Sequence, residues 1–271
     1  MVRKKGKSMK TLSIILVVLF ICTSLTAGEE LSARQIADRS FEATRLSGAE
    51  ATSTMTISDS KGRERIRKIA QVTKLYDSGD TEKKLIRFLA PADVKGTGML
   101  TFDYKVKDDD IWLYMPALRK TRRIVSSEKA KSFMGSEFSY ADMTPPNFDD
   151  FSFKLLGEQI INGTSCWQIE MIPNDDDIAD ENGFSKKISF IGKDDFVIRK
   201  AIYYDLDESL LKELSVKEIK LLDPANKKYR PMEMEMINRQ NDRRSTLVID
   251  KIQFNPNVKD EFFTTRYLER E

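Results

Sequence analysis

The sequence predicts a mainly β protein of the α+β class. We expect a single strongly curved antiparallel sheet, or unclosed β-barrel, with an N-terminal helix and a helical or loop lid. Three observations support this class. Segments with apolar residues at alternate positions recur about every ten residues, with Asp, Gly, Ser and Pro between them. One amphipathic helix precedes them, and no long linker divides the chain. A composition of 40% hydrophobic and 32% charged residues is typical of a globular protein.

The first 27 residues have the pattern of a secretory signal peptide. A basic stretch precedes an apolar run at residues 12–22, and small residues follow that run up to Ala27. We therefore predict cleavage near Ala27 or Gly28, which leaves residues 28–271 as the functional domain. The apolar run is short for a membrane span, but its length does not exclude one. An uncleaved membrane anchor is therefore the alternative. The basic residues are Arg3, Lys4, Lys5, Lys7 and Lys10.

The charge balance argues against a nucleic-acid-binding protein. The chain has 45 Lys and Arg against 43 Asp and Glu, and five of the basic residues lie in the predicted signal segment. The remainder is slightly acidic, whereas nucleic-acid-binding domains are as a rule strongly basic. With Cys22 assigned to the signal peptide, Cys166 is the single remaining cysteine, so no internal disulfide is expected.

Residues 31–48 predict the N-terminal helix. Ser32 and Gln35 have the spacing of a capping box, in which each side chain binds the backbone N–H of the other residue. Apolar residues and alanines then recur at helical spacing, and Gly48 marks the end. We expect this amphipathic helix to pack against the sheet.

Six strand segments follow the helix, with turns at "SDSKGR" and "DSGD" among them. Their regular spacing indicates a meander of antiparallel strands. The segments are residues 50–59, 65–77, 82–91, 96–105, 109–116 and 118–125.

Residues 126–150 interrupt the alternation and predict a loop with short helical turns. Seven more strand segments follow this loop. The acidic stretch 174–183 lacks the Asp, Gly and Glu positions of an EF-hand calcium loop, so we interpret it as a solvated hairpin loop. The strand segments are residues 151–160, 165–173, 185–192, 196–205, 213–223, 229–237 and 243–254.

Catalytic chemistry is poorly supported by the sequence. The chain has no histidine, which excludes Ser-His-Asp and Cys-His catalysis and most catalytic zinc sites. Cys166 lies inside a strand pattern and is interpreted as a packed small residue. A Ser-x-x-Lys pattern starts at Ser58, Ser126 and Ser209, as chance allows in a chain rich in both residues. We predict no catalytic residue, no metal site and no cofactor; a Ser–Lys or carboxylate-pair hydrolase is the least favoured alternative.

Methionine takes strand positions where branched residues are more usual. Met232, Met234 and Met236 alternate with glutamates, so they share one face of a strand. Because methionine is flexible and polarizable, it suits an apolar ligand with no fixed shape. The alternative is that these three residues belong to an ordinary core.

Residues 126–150 are also too apolar for a surface loop, so they must pack onto something. They either plug one end of the barrel as ordinary core or form a lid over an apolar cavity. The predicted lipid-binding residues, in the cavity or its lid, are Met55, Ile57, Leu100, Phe102, Trp112, Tyr114, Phe133, Met134, Phe138, Tyr140, Met232, Met234 and Met236.

A basic cluster lies in the sixth strand segment. One interpretation is an edge strand kept soluble by its charge. The other is a docking patch for an anionic membrane surface or an acidic partner. The predicted partner-docking residues are Arg119, Lys120, Arg122 and Arg123.

The stretch "DDIWLYMPALRKTRRI", followed by "SFMGSEFSYADM", resembles the LolA-like outer-membrane lipoprotein-sorting family. The C-terminal "STLVIDKIQFNPNVKDEFFTTRYLE" is similar to the closing strand and tail of that family. The resemblance spans roughly residues 30–271. It implies an unclosed β-barrel with a helical lid, a hydrophobic cavity, export to the periplasm and a non-enzymatic carrier role. It also implies work beside membrane exporters of the RND type.

Two functional hypotheses follow. The first is a periplasmic carrier that binds lipid or the acyl chains of lipoproteins and transfers them toward the outer membrane, with a membrane exporter or outer-membrane acceptor as its partner. The second is a periplasmic interaction module whose barrel is filled by its own side chains and which docks an envelope or exporter protein through the basic patch. Neither hypothesis involves nucleic acid.

Overall fold

The computed structural model describes residues 1–2, 30–255 and 257–270, and Leu31–Glu271 form one compact unit. Apart from its first two residues, the predicted signal peptide lies outside the described residues. No helix in the described ranges is both long enough and apolar enough to cross a membrane. The helices are α1 (Ala33–Thr44), α2 (Asp176–Asn182) and α3 (Thr265–Leu268). The strands are β1 (Gly48–Ser58), β2 (Glu64–Tyr76), β3 (Thr81–Ala90), β4 (Gly98–Tyr104), β5 (Asp110–Met115), β6 (Lys120–Arg123), β7 (Phe151–Ile161), β8 (Thr164–Pro173), β9 (Lys186–Gly192), β10 (Ile198–Tyr204), β11 (Leu210–Asp223), β12 (Lys228–Asn238) and β13 (Arg244–Phe254).

The strands form one antiparallel sheet of 13 strands that is not closed into a barrel. Its order is β6-β5-β4-β3-β2-β1-β13-β12-β11-β10-β9-β8-β7. Neighbouring strands in the sheet are therefore consecutive in the sequence everywhere except at the β1–β13 pair. The consecutive strands β6 and β7 are not neighbours and form the two edges. This confirms the predicted mainly β fold with a single open antiparallel sheet.

Helix α1 begins at the capping box that the sequence predicts. Ser32 Oγ accepts a hydrogen bond from Gln35 N at 3.2 Å, and Gln35 Oε1 accepts one from Ser32 N at 2.8 Å. These bonds satisfy two of the backbone N–H groups that a helix start leaves without partners. The helix contacts β7 and β12, and Ile36 is fully buried against Ile169 and Ile191.

The acidic stretch that we interpreted as a hairpin loop contains helix α2. Asp175 caps it by accepting a hydrogen bond from Ile178 N at 2.9 Å, and two further aspartates occupy its first turn. Gly183 then takes the left-handed conformation, with φ 72°, that ends many helices. Carboxylates near a helix N-terminus are favourable, so the charge stabilises a short helix here.

The two faces of the sheet carry separate apolar clusters. The inner face, defined here as the face that α1 covers, holds Met55, Ile86 and Met99 among other buried residues. On the outer face, Leu100 packs with the C-terminal residues Phe263 and Leu268. Because β4 is buried on both faces, apolar residues occupy positions on both of them, and its sequence is nearly continuously apolar.

Residues 124–150, which we term the crossing segment, connect β6 to β7. Because these two strands are opposite edges of the sheet, the segment must pass across one of its faces. Its residues Phe133, Phe138 and Tyr140 belong to the inner-face cluster, so the inner face is the one that it covers.

Candidate functional site

The crossing segment directs three aromatic side chains onto the inner face. Phe133, Phe138 and Tyr140 are 1%, 3% and 7% exposed. The ring centroid of Phe133 lies 5.7 Å from that of Phe88 in β3 and 5.6 Å from that of Tyr140. Contacts of this kind stabilise by more than their buried area alone. The segment is therefore an apolar cover whose side chains complete the inner core.

A tight turn within the segment presents these aromatics. Phe133 N donates to Phe138 O at 2.7 Å, and Ser136 Oγ donates to Phe133 O at 2.7 Å. Met134 and Gly135 at the turn have φ values of 52° and 80°, in the left-handed region. A glycine adopts that region without steric cost, whereas Met134 needs its surroundings to hold it there.

A buried ion pair ties the crossing segment to the sheet. The Asp142 carboxylate lies 2.6 Å from Lys212 Nζ in β11, and each side chain is 11% exposed. Burial alone would raise the pKa of Asp142, but the charge and hydrogen bond of Lys212 and the backbone N–H of Ser139 hold it below its ordinary value. Burial, together with Asp142, raises the pKa of the neighbouring Tyr203 well above its ordinary value.

A second tie lies around Glu137. Its backbone N donates to Ser245 Oγ in β13 at 2.9 Å. Its carboxylate lies 2.8 Å from Arg243 Nε and accepts a hydrogen bond from Asn238 Nδ2 at 3.0 Å. Both ties involve side chains, in contrast to the backbone ladder that joins neighbouring strands.

The predicted lipid-binding residues divide between the two faces. One group lies in or against the inner-face cluster, or is buried beside it on β12. The other group lies on the outer face, where the C-terminal segment covers it, so the structure does not bring these residues together with the first group. The inner group is Met55, Ile57, Phe133, Met134, Phe138, Tyr140, Met232, Met234 and Met236, and the outer group is Leu100, Phe102, Trp112 and Tyr114.

The predicted docking residues lie at and beside the short edge strand β6. Arg119 and Lys120 are exposed, and Arg119 has a left-handed φ of 47°. Arg122 pairs with Glu128 at 2.6 Å, and Arg123 binds Asp110. Two of the four charges are thus already paired within the chain.

A cleft of about 730 Å³ lies between α1, the β2–β3 and β4–β5 turns, the crossing segment and α2. The resemblance implies a hydrophobic cavity, but charged and polar side chains dominate this one. None of the predicted lipid-binding residues, all of which the structure describes, lines it. Its carboxylates are Asp38, Glu42, Asp80, Asp103, Asp108, Asp109, Asp149, Asp150 and Glu181, and its cations are Arg34, Arg45, Lys105, Lys107 and Lys129.

Two carboxyl groups at the cleft share a strongly perturbed environment. Burial, the neighbouring Asp109 and Glu82 raise the pKa of Asp103 to about 7. Burial also raises the pKa of Asp109, although Lys129 acts in the opposite direction. Two carboxyls that interact this closely cannot both ionise freely, so they titrate as a pair.

The sequence offered one weak indication of this cleft. Asp103 is two positions from Thr101 and four from Met99, so strand alternation places all three on one face of β4. An aspartate on a face that also carries methionine is unusual. The other acidic residues come from distant parts of the chain, and only the fold brings them together.

The Asp103→Asn variant is expected to melt at a higher temperature than the wild type at pH 8. A carboxyl whose pKa is raised on folding destabilises the fold as the pH rises from about 4 to about 7, and the loss persists above that pH. One pKa unit corresponds to about 1.4 kcal/mol, and Asp109 shares the charge, so we expect a gain of about 2 kcal/mol. In a domain of this size that is about 4–8 °C.

Thermal melts followed by circular dichroism at pH 4 and pH 8 would measure this difference. At pH 4 the wild type and the variant should melt together, because the wild-type carboxyl is then protonated. A variant that is less stable at both pH values would show that Asp103 makes a stabilising contact instead.

The sequence and fold resemble those of known proteins. Residues 80–270 match the model of a family described as "uncharacterized protein". An outer membrane lipoprotein-sorting protein domain from Vibrio parahaemolyticus is 28% identical, with a TM-score of 0.79, over 88% of this chain and 98% of that one. A DUF1329 family protein from Desulfovibrio piger is 26% identical, with a TM-score of 0.78, over 86% and 96% of the two chains.

A LolA superfamily protein from Nitrosomonas europaea has a TM-score of 0.65 at 18% identity, over 88% of this chain and all, 100%, of that one. At this identity the likeness concerns the fold. No curated protein is similar enough in sequence to count as a relative.

Proposed function

We propose that this protein, which belongs to the LolA-like outer-membrane lipoprotein-sorting family, is a non-enzymatic periplasmic carrier. It binds lipid, or the acyl chains of lipoproteins, between the inner face of its sheet and the crossing segment. The relative from Vibrio parahaemolyticus, described as an outer membrane lipoprotein-sorting protein domain, supports this role. The solved structures that resemble this chain include lipoprotein-related proteins, and this likeness supports a lipid- or lipoprotein-binding carrier fold.

The observation that carries the proposal is the crossing segment itself. It covers an apolar face that includes Met55, Ile57 and Met236, with Met234 packed against it, and it contributes aromatic side chains to the same cluster. In this conformation the segment occupies the position that an acyl chain would take. Binding therefore requires an open state in which the segment has moved away from the face.

The energetics allow such an exchange. Burial of an acyl chain contributes about 0.8 kcal/mol per CH₂, so ten buried CH₂ groups contribute about 8 kcal/mol. Opening removes the aromatic contacts and the ties at Asp142 and Glu137, but it leaves every strand pair intact. A partner that binds the open state more tightly than the closed one would shift the balance between the two states.

The proposed route begins with export through a signal peptide at residues 1–27, which leaves residues 28–271 as the carrier domain. Transfer toward the outer membrane then requires a partner, either an RND-type exporter that supplies the cargo or an acceptor that takes it. Arg119 and Lys120 are exposed beside the edge of the sheet. They are the proposed contacts for an acidic partner surface, with Arg122 and Arg123 beside them.

A disulfide between the crossing segment and β13 tests the proposal. In the Glu137→Cys/Ser245→Cys variant, the two cysteines replace residues that already contact each other, since Glu137 N lies 2.9 Å from Ser245 Oγ. The native Cys166 is buried and should not compete. We expect the oxidised variant to bind a palmitoyl lysophospholipid at least about tenfold more weakly than the reduced variant, or about 1.4 kcal/mol.

The reduced form of the same protein is the matched control, and intact mass confirms the bond. Isothermal titration calorimetry measures both affinities. Equal binding in the two forms would contradict a site beneath the crossing segment, and the absence of binding to the wild type would contradict the carrier role.

The interaction module is the second candidate, because the inner face is filled by the chain's own side chains. In that case the wild type takes up no lipid. An Arg119→Glu/Lys120→Glu variant would then fold normally and lose an envelope partner that the wild type retains in a cross-linking experiment.

A further inference from the structure

The cleft defined above contains charges that its own residues leave uncompensated. Several of its ionic groups form pairs, such as Arg34 with Asp38 at 2.9 Å and Lys129 with Glu181 at 2.5 Å. Asp103 forms no ion pair among the described residues. Burial and its neighbour Asp109 raise its pKa, while the cations Lys84 and Arg45 act in the opposite direction. Lys129 is 3.9 Å from Asp109, and its closer partner is Glu181. The cleft therefore retains negative charge at the Asp103–Asp109 pair.

A buried cation with an unused donor lies in the same cleft. The Arg45 side chain is 10% exposed, and its Nε has no hydrogen-bond partner within the described part of the chain. Arg45 Nη1 already donates to Glu42 Oε1 at 3.2 Å, but Nε lies 3.7 Å from Glu82 Oε2, which is too long for a hydrogen bond. The guanidinium lies 4.8 Å from the centre of the Phe41 ring, which fixes its position. A buried donor without an acceptor is costly, and a ligand oxygen would remove that cost.

The cleft also borders the apolar inner face. Phe151 and Ile178 line the cleft, and both also pack in or against the inner-face cluster. A polar group held in the cleft would therefore lie beside the surface that the crossing segment covers. One ligand with a polar end and an acyl tail would occupy both places.

We propose that the cleft binds a zwitterionic headgroup with a primary ammonium and a phosphate, as in an ethanolamine phospholipid. The ammonium lies against the carboxyls of Asp103 and Asp109, and a phosphate oxygen accepts from Arg45 Nε. This assignment rests on the proposed carrier function, because it gives the acyl ligand its headgroup class. Hydrogen bonds between charged partners are the stronger kind, so this pairing supplies selectivity.

The same arrangement makes binding depend on pH. Asp103 faces Glu82 and Lys84 of β3 and Arg45, which follows α1. Asp109 faces Lys129 of the crossing segment and Glu181 of α2. Because burial raises the pKa of Asp103 to about 7, the pair holds a proton below that pH. An ammonium requires the ionised pair, so affinity should rise about tenfold from pH 6 to pH 8.

The experiment compares two ligands with one acyl chain and different headgroups. Palmitoyl lysophosphatidylethanolamine carries the ammonium, and palmitoyl lysophosphatidylglycerol does not. We expect the wild type at pH 8 to bind the first at least about tenfold more tightly. The Asp103→Asn/Asp109→Asn variant should bind both alike, and the Asp207→Asn control, exposed in the β10–β11 turn, should retain the preference. Thermal melts confirm that the variants are folded.

The outcomes separate this inference from the carrier function. Equal affinity of the wild type for both lipids overturns the headgroup assignment and leaves the carrier function standing. Binding of neither lipid removes the carrier function. Soluble glycerophosphoethanolamine then decides the headgroup assignment: millimolar binding that the double variant loses supports it, and no binding overturns it.

Discussion

Replacing Asp142 with asparagine is expected to lower the free energy of unfolding by about 3–5 kcal/mol at neutral pH. The wild-type carboxylate accepts hydrogen bonds from Lys212 Nζ and from both Ser139 N and Ser139 Oγ. Without its charge, Lys212 remains buried with no counter-ion among the residues that the structure describes. Lys187, whose pKa burial already lowers, also loses the nearby charge of Asp142. Urea unfolding followed by tryptophan fluorescence measures the loss.

A double-mutant cycle gives the control. Lys212→Met removes the stranded charge, so the Asp142→Asn/Lys212→Met variant should be more stable than the sum of the single changes predicts. The pH dependence has a definite sign. Because the pKa of Asp142 is lowered on folding, its contribution is complete above pH 4 and is lost as the pH falls through its value in the fold. Strict additivity in the cycle would contradict a direct interaction.

The Phe133→Ala variant is also expected to lose about 3–5 kcal/mol, through a cavity rather than a charge. Phe133 is 1% exposed and packs against Phe88 and Tyr140, so the truncation removes contacts that its neighbours cannot fully replace. Val125 belongs to the same segment but is 55% exposed. Val125→Ala should therefore change stability by less than about 0.5 kcal/mol.

Chemical denaturation of both variants under the same conditions measures these two effects. A Phe133→Ala loss below 1 kcal/mol would mean that the crossing segment contributes little to the stability of the inner face. Hydrogen exchange then distinguishes local opening from global unfolding. If the segment opens by itself, residues 124–150 should exchange faster while β1 and β13 remain protected.

Strand alternation was sufficient to predict the sheet. Every strand lies within a few residues of a predicted segment, and the capping box places the start of α1. Alternation could not assign predicted site residues to one face where both faces of a strand are buried. In β4, Met99 is 1% exposed and Leu100 is 0% exposed, so alternation could not distinguish the inner residue from the outer one. The C-terminal segment that buries Leu100 follows it by more than 150 residues.

The crossing segment was partly foreseeable, because a loop with so many aromatic residues had to cover an apolar surface. Local patterns gave only one weak indication of the cleft, the position of Asp103 on the same face of β4 as Met99. The walls of the cleft come from α1, two turns, the crossing segment and α2. The pKa of Asp103 depends on the groups that these walls place around it. A shifted pKa depends on how deeply the group is buried and on which charges lie near it. The spacing of residues in the sequence shows neither.

The order of the strands determines when the protein can finish folding. β1 to β6 and β7 to β13 are each built from hairpins of consecutive strands, so each half can form early from local contacts. The halves join where Ala49 pairs with Phe254, two residues that are 205 positions apart (254 − 49) in a chain of 271. That seam cannot form before the last strand has been synthesised and released. A chain that begins to cross a membrane from its N-terminus would thus reach the far side with its central seam still open, and the complete sheet would assemble only there.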